Sequence, residues 1–323
     1  MKAIVFTKYG SPDVLQLLEV VKPVPNDDDV LVKVRAASIN AADYHSLSAD
    51  IILVRLVGGG LFKPRDTRLG TDEAGQVEAV GKNIKQFKPG DEVYGGGRGS
   101  LAEYACSRET SLVLKPGNLT FEQAAAVPVA ALTALQGLRD KGLIRSGQKV
   151  LIQGASGGVG MFAVQIAKSF GADVTAVCST RNLEMARSLG AEQVIDYSHE
   201  DFTKNGQQYD LIFAVNGYHP LSAYKRALTP RGRYVMAGGF LSQMLQAMLL
   251  GRWMSSSGGQ TMGFMGIAKF NQQDLTTLKV LLEAGKVVPV IDGSYPLSET
   301  ADAFRYVEDV HPRGKVVITM AQS

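Results

Sequence analysis

A strand, a glycine-rich turn and a helix in direct succession near the middle of the chain constrain its fold more than any other feature. KVLIQ (Lys149–Gln153) is an apolar strand, QGASGGVG (Gln153–Gly160) is the turn, and GGVGMFAVQIAKSFG (Gly157–Gly171) is a helical run closed by glycine. A second strand follows at DVTAVCS (Asp173–Ser179), then a helix over Leu183–Leu189 and a third strand at QVIDY (Gln193–Tyr197). DLIFAV (Asp210–Val215) and RYVMAGG (Arg233–Gly239) add two strands around a helix near Leu221–Leu228. Strands alternating with helices of about ten residues predict a parallel, doubly wound sheet.

A turn in that position brings backbone close to a pyrophosphate, whose charge lies against the helix N-terminus. The turn is not a clean G-x-G-x-x-G, because Ala155 stands in the first glycine's place, ahead of Gly157 and Gly160. Gly154, just before it, relieves the bend, while Gly157 and Gly158 supply permissive backbone and Ser156 adds a hydroxyl. Together with Val159 and Ala155 these are the candidate phosphate-binding residues. Gly160 permits close packing of helix on strand.

The end of the second strand selects the cofactor. An NAD site places Asp or Glu there, about twenty residues after the turn, to bind the ribose 2′-hydroxyl. Here the residues are Ser179, Thr180, Arg181 and Asn182, with no carboxylate before Glu184. The missing acid removes repulsion against a 2′-phosphate, Arg181 adds a fixed cation, and Ser179 and Thr180 add donors. NADPH is therefore the expected cofactor, with Tyr197 placed to flank the adenine ribose.

The first 120 or so residues read differently. AIVF (Ala3–Phe6), VLVKVRAA (Val30–Ala37), GQVEAVG (Gly75–Gly81) and KPGDEVYG (Lys88–Gly95) are short strand-forming runs punctuated by Gly, Pro and Asp, as in a compact β-barrel. Thr120 and Gln123 have capping-box spacing at the start of an Ala/Leu-rich helical stretch, which Pro128 must interrupt. Helices near Gln272–Ala284 and Glu299–Asp309 and a strand at Gly314–Met320 are expected to rejoin the first domain. A length of 323 residues suits two domains, placed at residues 1–122 with 266–323, and at residues 123–265.

Composition removes several functions. A formal net charge of +3, with dispersed Lys and Arg and no zinc-finger or RNP-like pattern, argues against nucleic acid. The longest apolar patch, Leu241–Leu250, is interrupted by Gln243 and Gln246 and is half the roughly twenty residues of a membrane span. Two cysteines, Cys106 and Cys178, read as reduced thiols, and the N-terminus lacks a signal-peptide run, so a cytoplasmic protein is expected.

Across nearly its whole length the chain resembles the zinc-free quinone oxidoreductase branch of the medium-chain dehydrogenase/reductase superfamily. The resemblance is carried by GTDEAGQVEAVG (Gly70–Gly81), GDEVYG (Gly90–Gly95), LAEYA (Leu101–Ala105), AAAVPVAALTAL (Ala124–Leu135), QGASGGVG and RGKVVIT (Arg313–Thr319). It implies an α/β protein, with a GroES-like β-barrel catalytic domain split around a Rossmann domain, and a homodimer. The superfamily's zinc enzymes carry G-H-E-x-x-G-x(5)-G, whereas here Thr71 and Asp72 take the places of His and Glu. No cysteine lies in SINAADYH (Ser38–His45), and the four histidines are scattered, so no metal is expected. Without a Lewis acid, a simple alcohol is a hard substrate. A small hydrophobic, electron-poor acceptor, a quinone or an α,β-unsaturated carbonyl, needs mainly positioning. The resemblance places Asn40 beside nicotinamide and substrate, Thr133 at the nicotinamide end, and Asn216, Gly238 and Gly239 along the cofactor. Tyr44 is a candidate hydrogen-bond donor to the acceptor's oxygen. Alternatives are an enoyl thioester reductase of the same superfamily and a non-catalytic NADPH-binding sensor or scaffold. Two segments, Ala49–Gly70 and the Met- and Leu-rich Phe240–Gln260, are longer than a minimal member needs.

Overall fold

Short β-branched runs broken by turn residues give the N-terminal part strands β1 (Lys2–Val5), β2 (Gln16–Glu19), β3 (Asp29–Ser38), β4 (Asp72–Val80), β5 (Glu92–Gly96), β6 (Tyr104–Arg108) and β7 (Leu112–Leu114). The middle supplies β8 (Lys149–Gln153), β9 (Asp173–Cys178), β10 (Gln193–Asp196), β11 (Tyr209–Ala214), β12 (Leu228–Met236) and β13 (Thr261–Phe264). The end supplies β14 (Ile291–Pro296) and β15 (Lys315–Thr319). The helices are α1 (Ala41–Ser48), α2 (Phe121–Ala125), α3 (Pro128–Gln136), α4 (Gly158–Ser169), α5 (Leu183–Ser188), α6 (Leu221–Arg226), α7 (Leu241–Met254), α8 (Gln272–Glu283) and α9 (Thr300–Val310). This computed structural model describes residues 1–49, 60–239, 241–255 and 259–321. Residues 50–59 of the long Ala49–Gly70 segment, and residues 240 and 256–258 of Phe240–Gln260, lie outside the described residues.

Two compact units result: Met1–Ala130 with Phe270–Glu283 and Pro289–Ser323, and Ala131–Lys269 with Ala284–Val288. The division falls a few residues from the one read in the sequence. Helix α2 packs on β3 and β4 and so stays with the first unit. Residues 284–288 join the second because the Gln165 amide exchanges two hydrogen bonds with the Val288 backbone, at 3.0 and 2.8 Å. The capping box closes as the spacing implies, with Gln123 N–H donating to Thr120 Oγ1 at 3.2 Å and Thr120 N–H to Gln123 Oε1 at 3.0 Å. Pro128 does not kink a continuous helix. It opens a new one at a position whose N–H needs no partner.

The first unit is built on a seven-stranded mixed sheet, in the order β14-β15-β3-β4-β5-β7 with β6 also on β3. Strand β3 therefore has three partners, β4, β6 and β15, all antiparallel. Ile4, Val34, Leu47, Phe304 and Ile318 form one core, and Val30, Val77, Phe87 and Leu112 belong to a second.

The second unit is a six-stranded parallel sheet in the order β10-β9-β8-β11-β12-β13. Numbered from β8, this is 3-2-1-4-5-6, the doubly wound order, with its switch point between β8 and β11. The sixth strand was not read from the sequence: Thr261–Phe264 is only four residues long and contains a glycine. In α7, Gln243 and Ala247 face inward and Met244 is half-buried on the sheet core, while Leu245, Met248 and Leu249 are exposed. Among the described residues no helix is long and apolar enough to cross a membrane.

Helix α4 approaches the turn so closely that a Cβ on Gly160 would lie 2.0 Å from Gly154 O and 2.8 Å from Ala155 Cα. Gly157, by contrast, has only Gly154 O near its missing Cβ, at 3.7 Å. Gly160→Ala should therefore lower stability by about 1–3 kcal/mol through backbone overpacking. Gly157→Ala should stay within about 1 kcal/mol, the scale of an N-cap exchange. Thermal unfolding followed by circular dichroism separates the two; equal losses would mean that the close approach is not what Gly160 serves.

Candidate active site

The C-terminal ends of β8, β11 and β12 converge, and the predicted cofactor residues of those ends come together there. Gly154 carries the left-handed conformation, φ +80°, that the bend requires. Ala155 is fully buried, and its N–H, like that of Gly154, donates to Val177 O, at 3.1 and 3.0 Å. An alanine is tolerated because the strained position is one residue earlier. Ser156, Gly157, Gly158 and Val159 are half-buried at the start of α4. The first N–H groups of a helix lack acceptors within it and favour an anion. A Cβ on Gly154 would lie 2.9 Å from Asn216 N, and one on Gly238 would lie 2.7 Å from Val215 O. Gly239, at φ +112°, completes this rim, while Thr133 sits half-buried in α3.

Beyond β9, Ser179 leads into a short 3-10 turn, Thr180–Asn182. Asn182 is 3% exposed and donates from Nδ2 to Ser156 Oγ at 2.9 Å and to Ser179 Oγ at 3.1 Å. Its Oδ1 is buried without a partner. Such an orphan costs about 1–3 kcal/mol, and a functional site is one of the settings that explains one. Hydroxyls and helix N–H groups that can donate fit the phosphates of a dinucleotide.

One expectation needs correction. No carboxylate precedes Glu184 in sequence, yet the parallel register of β10 on β9 sets Asp196 opposite Cys178 and beside Thr180. Thr180 Oγ1 donates to Asp196 Oδ2, so its hydroxyl hydrogen is already committed. Hydrogen bonds from Ser198 and Thr180 hold the Asp196 carboxyl far below the usual carboxylate range. Tyr197 is 64% exposed, and Arg181 is exposed as well.

The first unit brings its chemistry to one buried point. Asn40 precedes α1 and is 8% exposed. Its Nδ2 donates to Asp72 Oδ2 at 2.9 Å, and its Oδ1 accepts from Lys315 Nζ. Lys315 also donates to Ile39 O at 3.0 Å and lies 3.4 Å from Asp72 Oδ2. Asp72 further accepts from Ser38 Oγ at 2.8 Å and from Val129 N–H at 2.9 Å. In the sequence Asp72 is noted only as the residue in the zinc enzymes' glutamate position, and Lys315 only as part of the RGKVVIT motif. A second carboxyl, Asp43, accepts from Asn40 N–H at 2.8 Å and from Thr71 Oγ1 at 3.4 Å. Burial lifts Asp43 to about 6, and the charge of Asp72 adds to that rise.

Tyr44 lies in α1, and its hydroxyl has a protein partner. The ring leans on the first core, and Oη donates to Glu308 Oε1 at 2.6 Å, on α9. A third carboxyl, Glu73, is fully buried beside Gly97. It accepts from Ser107 Oγ through Oε1, whereas Oε2 has no partner, and burial pushes it up to about 7. Among the described residues no three His, Cys, Asp or Glu side chains are grouped as metal ligands. Cys106 and Cys178 are free thiols, each pushed up to about 11 by burial.

A doubly wound sheet with an anion-ready turn at its switch point defines a dinucleotide-binding protein of the Rossmann class. The chain belongs to the medium-chain dehydrogenase/reductase family, in its quinone oxidoreductase branch. Residues 26–117 match the alcohol dehydrogenase GroES-like domain, and residues 189–318 match the family described as zinc-binding dehydrogenase. The chain is 38% identical to 2-methylene-furan-3-one reductase of Solanum lycopersicum, over 98% of this chain and 79% of the relative. It is 36% identical to the NADPH-dependent alkenal/one oxidoreductase, chloroplastic, of Arabidopsis thaliana, with the same coverage of 98% and 79%. The solved quinone oxidoreductase from Coxiella burnetii aligns with a TM-score of 0.87 at 29% identity, over 99% of each chain.

Glu73 gives a pH test of this interior. Its folded value of about 7 exceeds the ordinary 4.5, so the folded protein binds the proton more tightly than the unfolded chain. The penalty is absent below pH 4.5, grows as pH rises, and is complete above pH 7. Glu73→Gln should raise unfolding free energy above pH 7 by something on the order of 2–3 kcal/mol and change little in acid. Denaturant titrations across that range check this. An unchanged pH slope would show that Glu73 is not protonated in the fold.

Proposed function

We propose that the protein is an NADPH-dependent, metal-free reductase acting on a quinone or on the conjugated C=C of an α,β-unsaturated carbonyl. The observation that carries this reading is the saturation of Asp72. It stands where the zinc enzymes have glutamate, beside Thr71 where they have histidine, and its oxygens already accept from Ser38, Asn40, Val129 and Lys315. A carboxylate so engaged, with an ammonium 3.4 Å away, is already charge-compensated and makes a poor ligand for a cation. Electron-poor acceptors are the class that tolerates this, since the incoming charge delocalises onto their own oxygen.

The second unit would hold the cofactor. Ser156 and the N–H groups of Gly158 and Val159 take the pyrophosphate. Ser179 and Arg181 take the 2′-phosphate, Tyr197 flanks the adenosine, and Asn216, Gly238 and Gly239 supply backbone along the rim. Thr133 serves the nicotinamide end. Bound NADPH supplies the hydride. Asn40 orients the reacting partners: one Nδ2 hydrogen is fixed on Asp72, which sets the direction of the other. The proton that completes reduction comes from solvent or from a hydroxyl. Tyr44 is left out of the mechanism because Glu308 takes its hydrogen. The two unbridged thiols suit a reducing compartment, and cytoplasmic location and homodimer assembly complete the reading.

NADPH absorbance followed against quinones, alkenals and cyclic enones is the direct test. Turnover of at least one of these, with none on saturated ketones, is expected. Oxidation of simple alcohols, or silence across the panel, would overturn the reading. Asn40→Ala should cut kcat about 10–100-fold with the fold intact, as for loss of a positioning contact. Arg181→Ala should raise KM for NADPH about tenfold, the worth of a charge-assisted bond, and leave NADH unaffected. Equal use of NADH by the unaltered protein would remove the 2′-phosphate preference.

A further inference from the structure

Three hydroxyls gather around the turn after β9, and the groups beside them set the direction of their hydrogens. An amide N–H is only a donor and a carboxylate only an acceptor, whereas a hydroxyl does both. Thr180 faces the Asp196 carboxylate and gives its hydrogen away inside the protein. Ser156 and Ser179 face the Asn182 amide and receive from it instead, at 2.9 and 3.1 Å. Their own hydrogens therefore remain to be given. Both N–H bonds of the Asn182 side chain are spent this way, and its Oδ1 is the orphan. The opposite orientation of the amide would bury two donors without acceptors in place of one acceptor without a donor. The orientation in the fold is thus the less costly one.

We propose that Asn182 is a positioning and specificity-determining residue that makes Ser156 and Ser179 obligate hydrogen-bond donors to the phosphates of one bound dinucleotide. This rests on the cofactor reading above and deepens it. Ser156 lies on the turn at the start of α4 and serves the pyrophosphate, whereas Ser179 lies at the end of β9 and serves the 2′-phosphate. A single buried side chain, 3% exposed, couples the common part of NADH and NADPH to the part that distinguishes them. Thr180, though adjacent in sequence, is excluded from the donor set by Asp196.

Calorimetric binding of NADP+ and NAD+ to the full-length, unliganded protein tests this without turnover. Asn182→Asp replaces two donors by acceptors of similar shape, so the serine hydrogens turn inward and a negative charge is added. It should weaken NADP+ by at least tenfold more than NAD+. The decisive comparison is a double-mutant cycle. Ser179→Ala should cost about tenfold in NADP+ affinity in the native background and almost nothing beside Asn182→Asp. The Ser156→Ala arm, read with NAD+, should show the same loss of effect. Asn182→Ala frees the hydroxyls to rotate and should give an intermediate loss, which keeps the cycle readable if the Asp variant does not fold. Additive losses in either arm, or equal weakening of NAD+ and NADP+ by Asn182→Asp with a lowered melting temperature, would overturn the proposal and make Asn182 a structural residue. A native protein that binds NAD+ as tightly as NADP+ would instead overturn the 2′-phosphate reading, and the Ser156 arm would still decide whether Asn182 positions a donor.

Discussion

The buried Asp72–Lys315 pair is the contact on which the first unit's site depends. Its members are 0% and 4% exposed in their side chains, and they join parts of the chain far apart in sequence. Through Asp72 the end of β3, the residue before α1, the start of β4 and the start of α3 meet at one carboxylate, and Lys315 ties β15 to the same point. Desolvating two charges offsets most of their attraction, so such a pair adds little net stability. Removing one partner is another matter, because it strands the other charge at a cost of about 3–5 kcal/mol. The pair therefore acts as a constraint more than as a source of stability. What it constrains is Asn40, whose amide oxygen faces the ammonium and whose amide nitrogen faces the carboxylate. The same field explains Asp43. A second carboxyl in that interior meets burial and a neighbouring negative charge, and it holds its proton more readily.

Much of the fold was legible because its determinants are local. The strand–turn–helix around Gly154, the run of alternating strands, and the box at Thr120 depend on conformation and periodicity within a few residues. Local reasoning also placed the left-handed demand near Gly154 and excused Ala155. It failed where an element is short and carried by its neighbours. Thr261–Phe264 is a strand because β12 and α7 surround it, and nothing in four residues says so. β2 failed for another reason: it is exposed throughout and paired only with β1, so it carries no apolar alternation to read.

The site was legible in its glycines and illegible in its pairings. Asn40 was named from resemblance, but its partners stand 32 and 275 residues away and share no motif with it. Tyr44 looked available because its partner Glu308 lies 264 residues further on. Asp196 is the clearest case. The rule that reads cofactor choice from the end of the second strand looks along the chain, whereas parallel pairing delivers a side chain from the next strand across. A missing acid in sequence is thus a weaker signal than a missing acid in space. The inference to NADPH then leans on how fully Asp196 is occupied by Thr180 and Ser198.

Each unit uses a buried asparagine in the same physical way. A carboxamide has an acceptor and two donors on a planar frame, and a buried environment that is asymmetric in charge or hydrogen-bonding character permits only one of its two orientations. Around Asn40 the asymmetry is electrostatic, an ammonium against a carboxylate. Around Asn182 it is the cost of burying two N–H groups where hydroxyls stand ready to accept them. In each case the locked amide passes direction to whatever it touches next, and in the second unit those groups are two serine hydroxyls. Hydride transfer without a metal has no strong Lewis acid to correct a misplaced substrate, so it depends on directions fixed before binding. Two amides held in one orientation by buried partners, one in each unit, fix such directions in advance.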